Sequence, residues 1–290
     1  MDNLNEYKKA GLIASNSLML GQKLIKKEKP IVEILDEIED YIKKQGAMPA
    51  FPAQISLDRI AAHQCSVSKD DLIGDNVIKL DVGVHIDGFI ADNALTINKK
   101  DDSGIEQASR KALNEALKLM RPNTSIKEVS RVISQTIIDE GFSPVKNLSG
   151  HGLDQYKLHK SPSIPNVPSI DKVLKENDVF AVEPFASSGT GVVKEAGINT
   201  LFTLIKSKPV RNPITRNVLL ELKKYKGLPF TSRWLINKFG EGKTNFALRE
   251  LNNLGVLEKH PPLADDYGLV SQAEHTVIVK DKPIITTKGE

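Results

Sequence analysis

Isoleucine and leucine recur at helical spacing early in the chain. Ile31, Ile34, Leu35, Ile38 and Ile42 lie three and four apart behind Pro30, the stripe of an amphipathic helix facing a core. The first forty-five residues read as helix, and Met48 to Pro52, with two prolines, breaks it. The period then shortens to two. Strand-like segments at 77–84 and 89–97 flank Asp87-Gly88, a pair suited to a tight hairpin. Two helices follow. The second opens Ser125-Ile-Lys-Glu128, at capping-box spacing, carries Ile126, Val129, Val132, Ile133 and Ile137 on one face, and stops at Gly141. A strand is expected ahead of Gly150-His151-Gly152, and Asn177-Asp178 leads into a further strand at Val-Phe-Ala-Val-Glu183.

The pattern is interrupted between residues 206 and 268. Helical stretches at 214–225, 232–239 and 245–254 precede Gly255 and a short strand, Val256-Leu-Glu-Lys, an order that suggests a small winged-helix unit. Pro261-Pro262 marks the exit, and strand periodicity resumes over 268–280. The expected division is a main domain of residues 1–205 and 269–290 with 206–268 inserted. Charge follows this division. The chain carries a net +3, yet 206–268 hold twelve Lys and Arg against six Asp and Glu, so the rest is three negative. Composition is otherwise that of a soluble globular protein, 40% hydrophobic and 27% charged. No apolar run reaches the length of a membrane span, and Met-Asp-Asn-Leu-Asn-Glu-Tyr-Lys-Lys does not read as a secretory leader, so no membrane partner is expected. A single cysteine, Cys65, rules out an internal disulfide and suits a reducing cytoplasm.

Acidic side chains stand where the apolar pattern calls for burial. Asp81 and Asp92 bracket Asp-Val-Gly-Val-His-Ile-Asp-Gly-Phe-Ile-Ala-Asp; Glu183 lies in Val-Phe-Ala-Val-Glu-Pro-Phe, and Glu274 in Gln-Ala-Glu-His-Thr-Val-Ile-Val. A carboxylate in an apolar strand is costly unless its charge is compensated. His151, between two glycines, is free to present its ring from a tight backbone. Four carboxylates and one imidazole match the needs of two divalent cations that activate water against an amide. Any one of the five alone reads best as an ordinary charged residue at a turn; five in such contexts do not.

These segments resemble one family. Leu80-Asp-Val-Gly-Val-His-Ile-Asp-Gly-Phe-Ile-Ala-Asp92, Gly150-His-Gly-Leu-Asp-Gln-Tyr-Lys-Leu-His159, Val182-Glu-Pro-Phe and Ala273-Glu-His-Thr-Val-Ile are similar to the methionine aminopeptidases of type II, over nearly the whole chain. The insertion before the last acidic motif is a hallmark of that type, and the lack of a long basic or zinc-binding N-terminal extension looks archaeal. The resemblance implies an α+β pita-bread fold, the creatinase/aminopeptidase-like architecture, with two similar halves around a dinuclear site. It implies Asp81 as a terminal ligand, Asp92 and Glu274 as bridges, and His151 and Glu183 as ligands of the other ion. The ions would be Co, Mn, Fe or Zn; the oxygen-rich set favours the harder ones. Glu183 would also act as general base.

Two histidines have counterparts outside the ligand set. His63 matches the one that hydrogen-bonds the scissile amide, and His159 the one that steadies the oxyanion. Phe51 and Leu158 match walls of the methionine slot. One position departs: where the type II enzymes commonly carry tyrosine before the Pro pair, this chain has His260. His85, His275 and Cys65 read as structural. The implied substrates are N-terminal methionine peptides of nascent proteins with a small second residue, cleaved in the cytoplasm by a monomer. Two other readings stand beside this one. Prolidases and Xaa-Pro aminopeptidases share fold and ligands but carry a sizeable domain ahead of the catalytic one. A nucleic-acid or ribosome-binding protein would use the basic winged unit, although 243–253 present few outward cations for base readout.

Overall fold

A computed structural model describes residues 3–288. The N-terminal helical region is two helices, α1 (Leu4–Leu24) and α2 (Ile31–Lys44), divided just before Pro30. Pro30 accounts for the break. It sits in extended backbone at the α2 N-cap, lacks an amide hydrogen and disfavours helix in the residue before it. The expected stripe is the buried face: Ile31, Ile34, Leu35, Ile38 and Ile42 are all 0–1% exposed. Each contributes about 1.5–3 kcal/mol through the area removed from water.

Five strands follow: β1 (Met48–Pro49), β2 (Gln54–Leu57), β3 (Ile60–Ala62), β4 (Val77–Ile86) and β5 (Phe89–Asn98). β4 is the spine of one antiparallel sheet, paired with β1, β2 and β5. The β4–β5 turn is the expected two-residue one, Ile86 facing Phe89, with both Asp87 (φ 49°) and Gly88 (φ 89°) left-handed. α1 and α2 cover this sheet with one apolar core.

The second half repeats the plan. α3 (Ile105–Lys118) and α4 (Ile126–Asp139) precede β6 (Ser143–Pro144), β7 (Ser149–Asp154), β8 (Lys157–Pro165), β9 (Val179–Val182), β10 (Phe185–Ser187) and β11 (Val193–Glu195). Ser125 is the N-cap of α4, but the expected side-chain capping bond does not form. The first helical amide, of Ile126, donates instead to the Lys172 carbonyl at 2.8 Å, so a neighbouring loop satisfies that end.

The remaining chain contains β12 (Leu201–Leu204), α5 (Pro213–Leu222), β13 (Phe230–Thr231), α6 (Ser232–Phe239), α7 (Glu241–Asn253), β14 (Leu257–Lys259), β15 (Leu263–Asp265), β16 (Val270–Gln272), β17 (His275–Ile278) and β18 (Ile284–Ile285). A five-stranded sheet runs β18-β17-β9-β7-β8. α3 and α4 pack over it in a second core that includes Phe180, Val182 and Val277. The mixed α and β layers are thus two helix-over-sheet halves, the pita-bread plan.

α5, α6 and α7 form a separate cluster with Phe202, Phe230 and Leu257. Their sheet is β13-β12-β14, so the strand just before residue 206 pairs within this unit. β15, beyond Pro262, pairs with β11 and β3 of the main body.

A seam joins the halves. Thr96 Oγ1 donates to the Gln272 carbonyl at 2.7 Å and accepts the Gln272 amide at 2.8 Å. The Glu274 amide donates to the Ala94 carbonyl at 2.9 Å. Thr276 Oγ1 accepts the Asp92 amide at 2.7 Å and donates to the Asp92 carbonyl at 2.9 Å.

Gly83 stands opposite Asp92 on β4, and a Cβ there would lie 2.1 Å from Cε1 of the Phe51 ring. Gly83→Ala should therefore destabilise by about 1–3 kcal/mol, as overpacked cores do, read from denaturant unfolding. Adding Phe51→Leu should recover part of that loss; no recovery would show that the ring is not what the methyl group meets.

Candidate metal centre

The hairpin and the seam bring the acidic residues together. With Asp81 facing Ala94 and Gly83 facing Asp92, the two aspartates lie diagonally on one face of β4 and β5. The Ala94–Glu274 bridge carries Glu274 to the same place from the other half. His151 lies opposite Ala181 on β9, and Glu183 follows the end of that strand. Pro184 after it removes a backbone donor where the strand stops.

One cavity is lined by all nine residues that the motifs single out: Phe51, His63, Asp81, Asp92, His151, Leu158, His159, Glu183 and Glu274. Ligand-type atoms of Asp92, His151 and Glu274 lie within 4.8 Å of one another. His151 Nε2 is 3.6 Å from Glu183 Oε1 and 3.8 Å from Asp92 Oδ2.

The electrostatics are those of negative charge packed without protein countercharge. Burial pushes Asp81 up to about 7. Burial, then the charges of Asp81 and Glu183, hold Asp92 well above the usual range; burial and Asp81 do the same for Glu183. Glu274 is raised by burial and then by Asp92, Glu183 and Asp81. Oδ1 of Asp81, Oδ1 of Asp92 and Oε1 of Glu274 are buried with no hydrogen-bond partner. Orphaned carboxylate oxygens facing one another beside a neutral imidazole, which burial holds down to about 3, are a donor set that a divalent cation fits.

Other side chains define the rest of the cavity. His63 has a left-handed backbone (φ 67°), and its Nδ1 sits 3.3 Å from the Pro261 carbonyl. Because a carbonyl only accepts, Nδ1 carries the hydrogen and Nε2 is left as an acceptor. Burial holds this ring neutral, down to about 4. The rings of His151 and His159 meet edge to face at 4.5 Å. His260 lines the cavity too, with Nε2 2.8 Å from Thr203 Oγ1 and its ring 5.9 Å from His63.

Sequence reasoning missed Gln272, whose Nε2 donates to Glu183 Oε2 at 3.3 Å and to Glu274 Oε2 at 3.5 Å. Its position two residues before Glu274 in an apolar strand was the available signal. Gln54, Ala62, Leu201 and Pro229 also line the cavity and carried no signal. The structural readings agree with the contacts found. His85 Nδ1 accepts the Gly88 amide in the hairpin turn, and His275 Nδ1 lies 2.8 Å from Thr287 Oγ1. Cys65 is buried, and burial raises its thiol pKa.

Comparison with known proteins agrees with this geometry. Residues 5–280 match the model of metallopeptidase family M24. A methionine aminopeptidase of Pyrococcus abyssi is 42% identical over 287 residues, covering 96% of this chain and 97% of that protein. Two solved structures share the fold. A thermophilic Arx1 superposes with a TM-score of 0.86 at 19% identity, covering 99% of this chain and 91% of that one. A methionine aminopeptidase of Thermotoga maritima gives 0.71 at 21%, covering 99% and 97%. A family match over nearly the full length, an archaeal relative of equal span and a cation-ready carboxylate cluster where the halves meet agree: the chain belongs to metallopeptidase family M24, alongside the archaeal methionine aminopeptidases.

Proposed function

We propose that this protein is a metallo-aminopeptidase of the type II class that removes the N-terminal methionine of nascent proteins when the second residue is small. The observation that carries the proposal is the convergence of four carboxylates, four imidazoles and an apolar wall in one cavity. Asp81, Asp92, His151, Glu183 and Glu274 would hold two divalent cations of the Co, Mn, Fe or Zn kind. When bound, such cations acidify a water and hold the free α-amine and the carbonyl of the first residue.

The chain's own groups do the rest. Glu183 takes the proton of the attacking water as general base, steadied by Gln272 on its other oxygen. His63, neutral and with Nε2 as acceptor, holds the scissile N–H. His159 donates to the oxygen that becomes negative in the transition state. Phe51 and Leu158 wall the methionine slot, with Leu201 and Pro229 beside them. His260 makes this wall more polar than a tyrosine ring would. Residues 206–268 act as a winged-helix-like subdomain closing one side of the cleft, with 1–205 and 269–290 as the catalytic domain. We place the activity in the cytoplasm, in a monomer; among the described residues no helix is long and apolar enough to cross a membrane.

The direct test is release of methionine from Met-Ala-Ser and Met-Lys-Ser with defined metals. The first should be cleaved and the second spared. Faster cleavage of Xaa-Pro dipeptides than of Met-Ala-Ser would favour a prolidase instead.

Asp92→Ala and Glu274→Ala should each abolish turnover while leaving the circular dichroism spectrum intact, and each should bind at most one cation tightly by calorimetry. Turnover like that of the unaltered enzyme in either would sink the paired-cation assignment. His63→Ala and His159→Ala should keep their metal and lose activity mainly in kcat, by about 10²–10³-fold for His159. A parallel fall in metal content would place them among the ligands.

Metal uptake should itself be pH-linked. The carboxylates' pKa values are raised in the folded protein, chiefly by burial and to about 7 for Asp81, so a cation taken up near neutrality competes with protons for this site. Calorimetry with Mn²⁺ in buffers of different ionisation enthalpy should show proton release near pH 7, and affinity should weaken as pH falls. A pH-independent affinity would show that the cluster is already ionised.

A further inference from the structure

The inserted unit grips the catalytic body through one buried polar cluster. Arg233, at the start of α6, is 2% exposed, and its Nη2 donates to Glu39 Oε1 on α2 at 2.6 Å. Nη1 reaches Asp36 on the same helix. Trp234 Nε1 donates to Glu39 Oε2 at 2.6 Å. Glu39 is 1% exposed, so both its oxygens are occupied by donors from the insertion.

A third donor links this cluster to the substrate cavity. Glu39 Oε1 also accepts the backbone amide of Ala53 at 3.1 Å. Phe51, two residues earlier, lines the cavity, and so does Gln54, the next residue. Gln54 Oε1 accepts the His63 amide at 2.8 Å and helps hold the left-handed backbone there. From the other side His63 Nδ1 meets the carbonyl of Pro261, where the chain leaves the insertion.

We propose that Arg233 is a positioning residue for the methionine slot: through Glu39 it holds the backbone of residues 51–54, and so sets where Phe51 and His63 stand. This rests on the aminopeptidase reading above. Salt-bridge glue between two subdomains would need the Arg–Glu pair alone. The Ala53 amide on the same carboxylate oxygen is what couples the pair to the cavity. The insertion is then part of the specificity machinery, acting 180 residues from the loop it sets.

The test separates positioning from glue. Arg233→Met strands a buried carboxylate and should raise KM for Met-Ala-Ser about tenfold or more, with kcat changed less and bound metal unchanged. Preference for methionine over leucine at the first position should narrow, and amide exchange across residues 50–65 should quicken. Adding Glu39→Gln removes the stranded charge yet keeps an acceptor for the Ala53 amide, so KM and exchange should return most of the way. Arg233→Met with Glu39→Leu packs as an apolar pair of the kind that often equals a buried ion pair in stability, but leaves the Ala53 amide without an acceptor. That pair should melt near the unaltered temperature and still show the raised KM and fast exchange.

Normal KM and slow exchange in the apolar pair, or in folded Arg233→Met alone, would overturn the proposal. If Arg233→Met does not fold, the two paired variants decide. Should the unaltered, metal-loaded protein release no methionine from any peptide, the functional reading fails, and exchange across residues 50–65 still judges the positioning link by itself.

Discussion

Four carboxylates held in a cavity without a protein cation among them are the constraint around which this molecule is arranged. Burial holds each of them above its ordinary pKa, and the charges of neighbouring carboxylates add to this for Asp92, Glu183 and Glu274. The fold tolerates them because the groups come from rigid neighbouring strands and cannot move apart to find solvent or separate partners. Among the described residues Gln272 is the one side-chain donor to Glu183 and Glu274, and it supplies no charge. Such a donor set fits a divalent cation.

That arrangement explains why the seam between the halves is polar. Thr96 and Thr276 each both donate and accept across it, so the backbone next to Asp92 and Glu274 is pinned from both sides. Apolar packing would tolerate sliding by a fraction of an ångström. Paired hydrogen bonds of fixed length do not. Gly83 follows the same logic in reverse: the missing side chain opposite Asp92 is the space into which Phe51 fits, bringing the apolar wall against the carboxylates.

The insertion adds a third layer of restraint. Its own apolar cluster makes it a unit; it meets the main body through Leu228, packed in a core cluster with Ala50, Phe51 and Phe89, and through charged and polar groups that converge on α2 and on the loop after β1. A basic excess in residues 206–268 first suggested a partner surface. Part of that charge, that of Arg233, is turned inward onto Glu39 and Asp36 of the main body.

Much of this was legible in the chain itself. The α2 stripe, the Asp87-Gly88 hairpin and the acidic residues inside apolar strands are local patterns set by side-chain chemistry and backbone period, and they survive unchanged in the fold. What depended on partners distant in sequence was not legible. The missing Ser125 cap bond and the pairing of the strand before residue 206 were each decided by which backbone group lay nearby in space. So were Gln272 beside the acidic pair and the Glu39–Ala53 link, because a hydrogen bond between residues far apart leaves no period or spacing to read. The sequence by itself determined which groups must be buried and what chemistry they bear. Only the tertiary structure decided which of them face one another, since that is set by sheet register and by the seam between two separately packed halves.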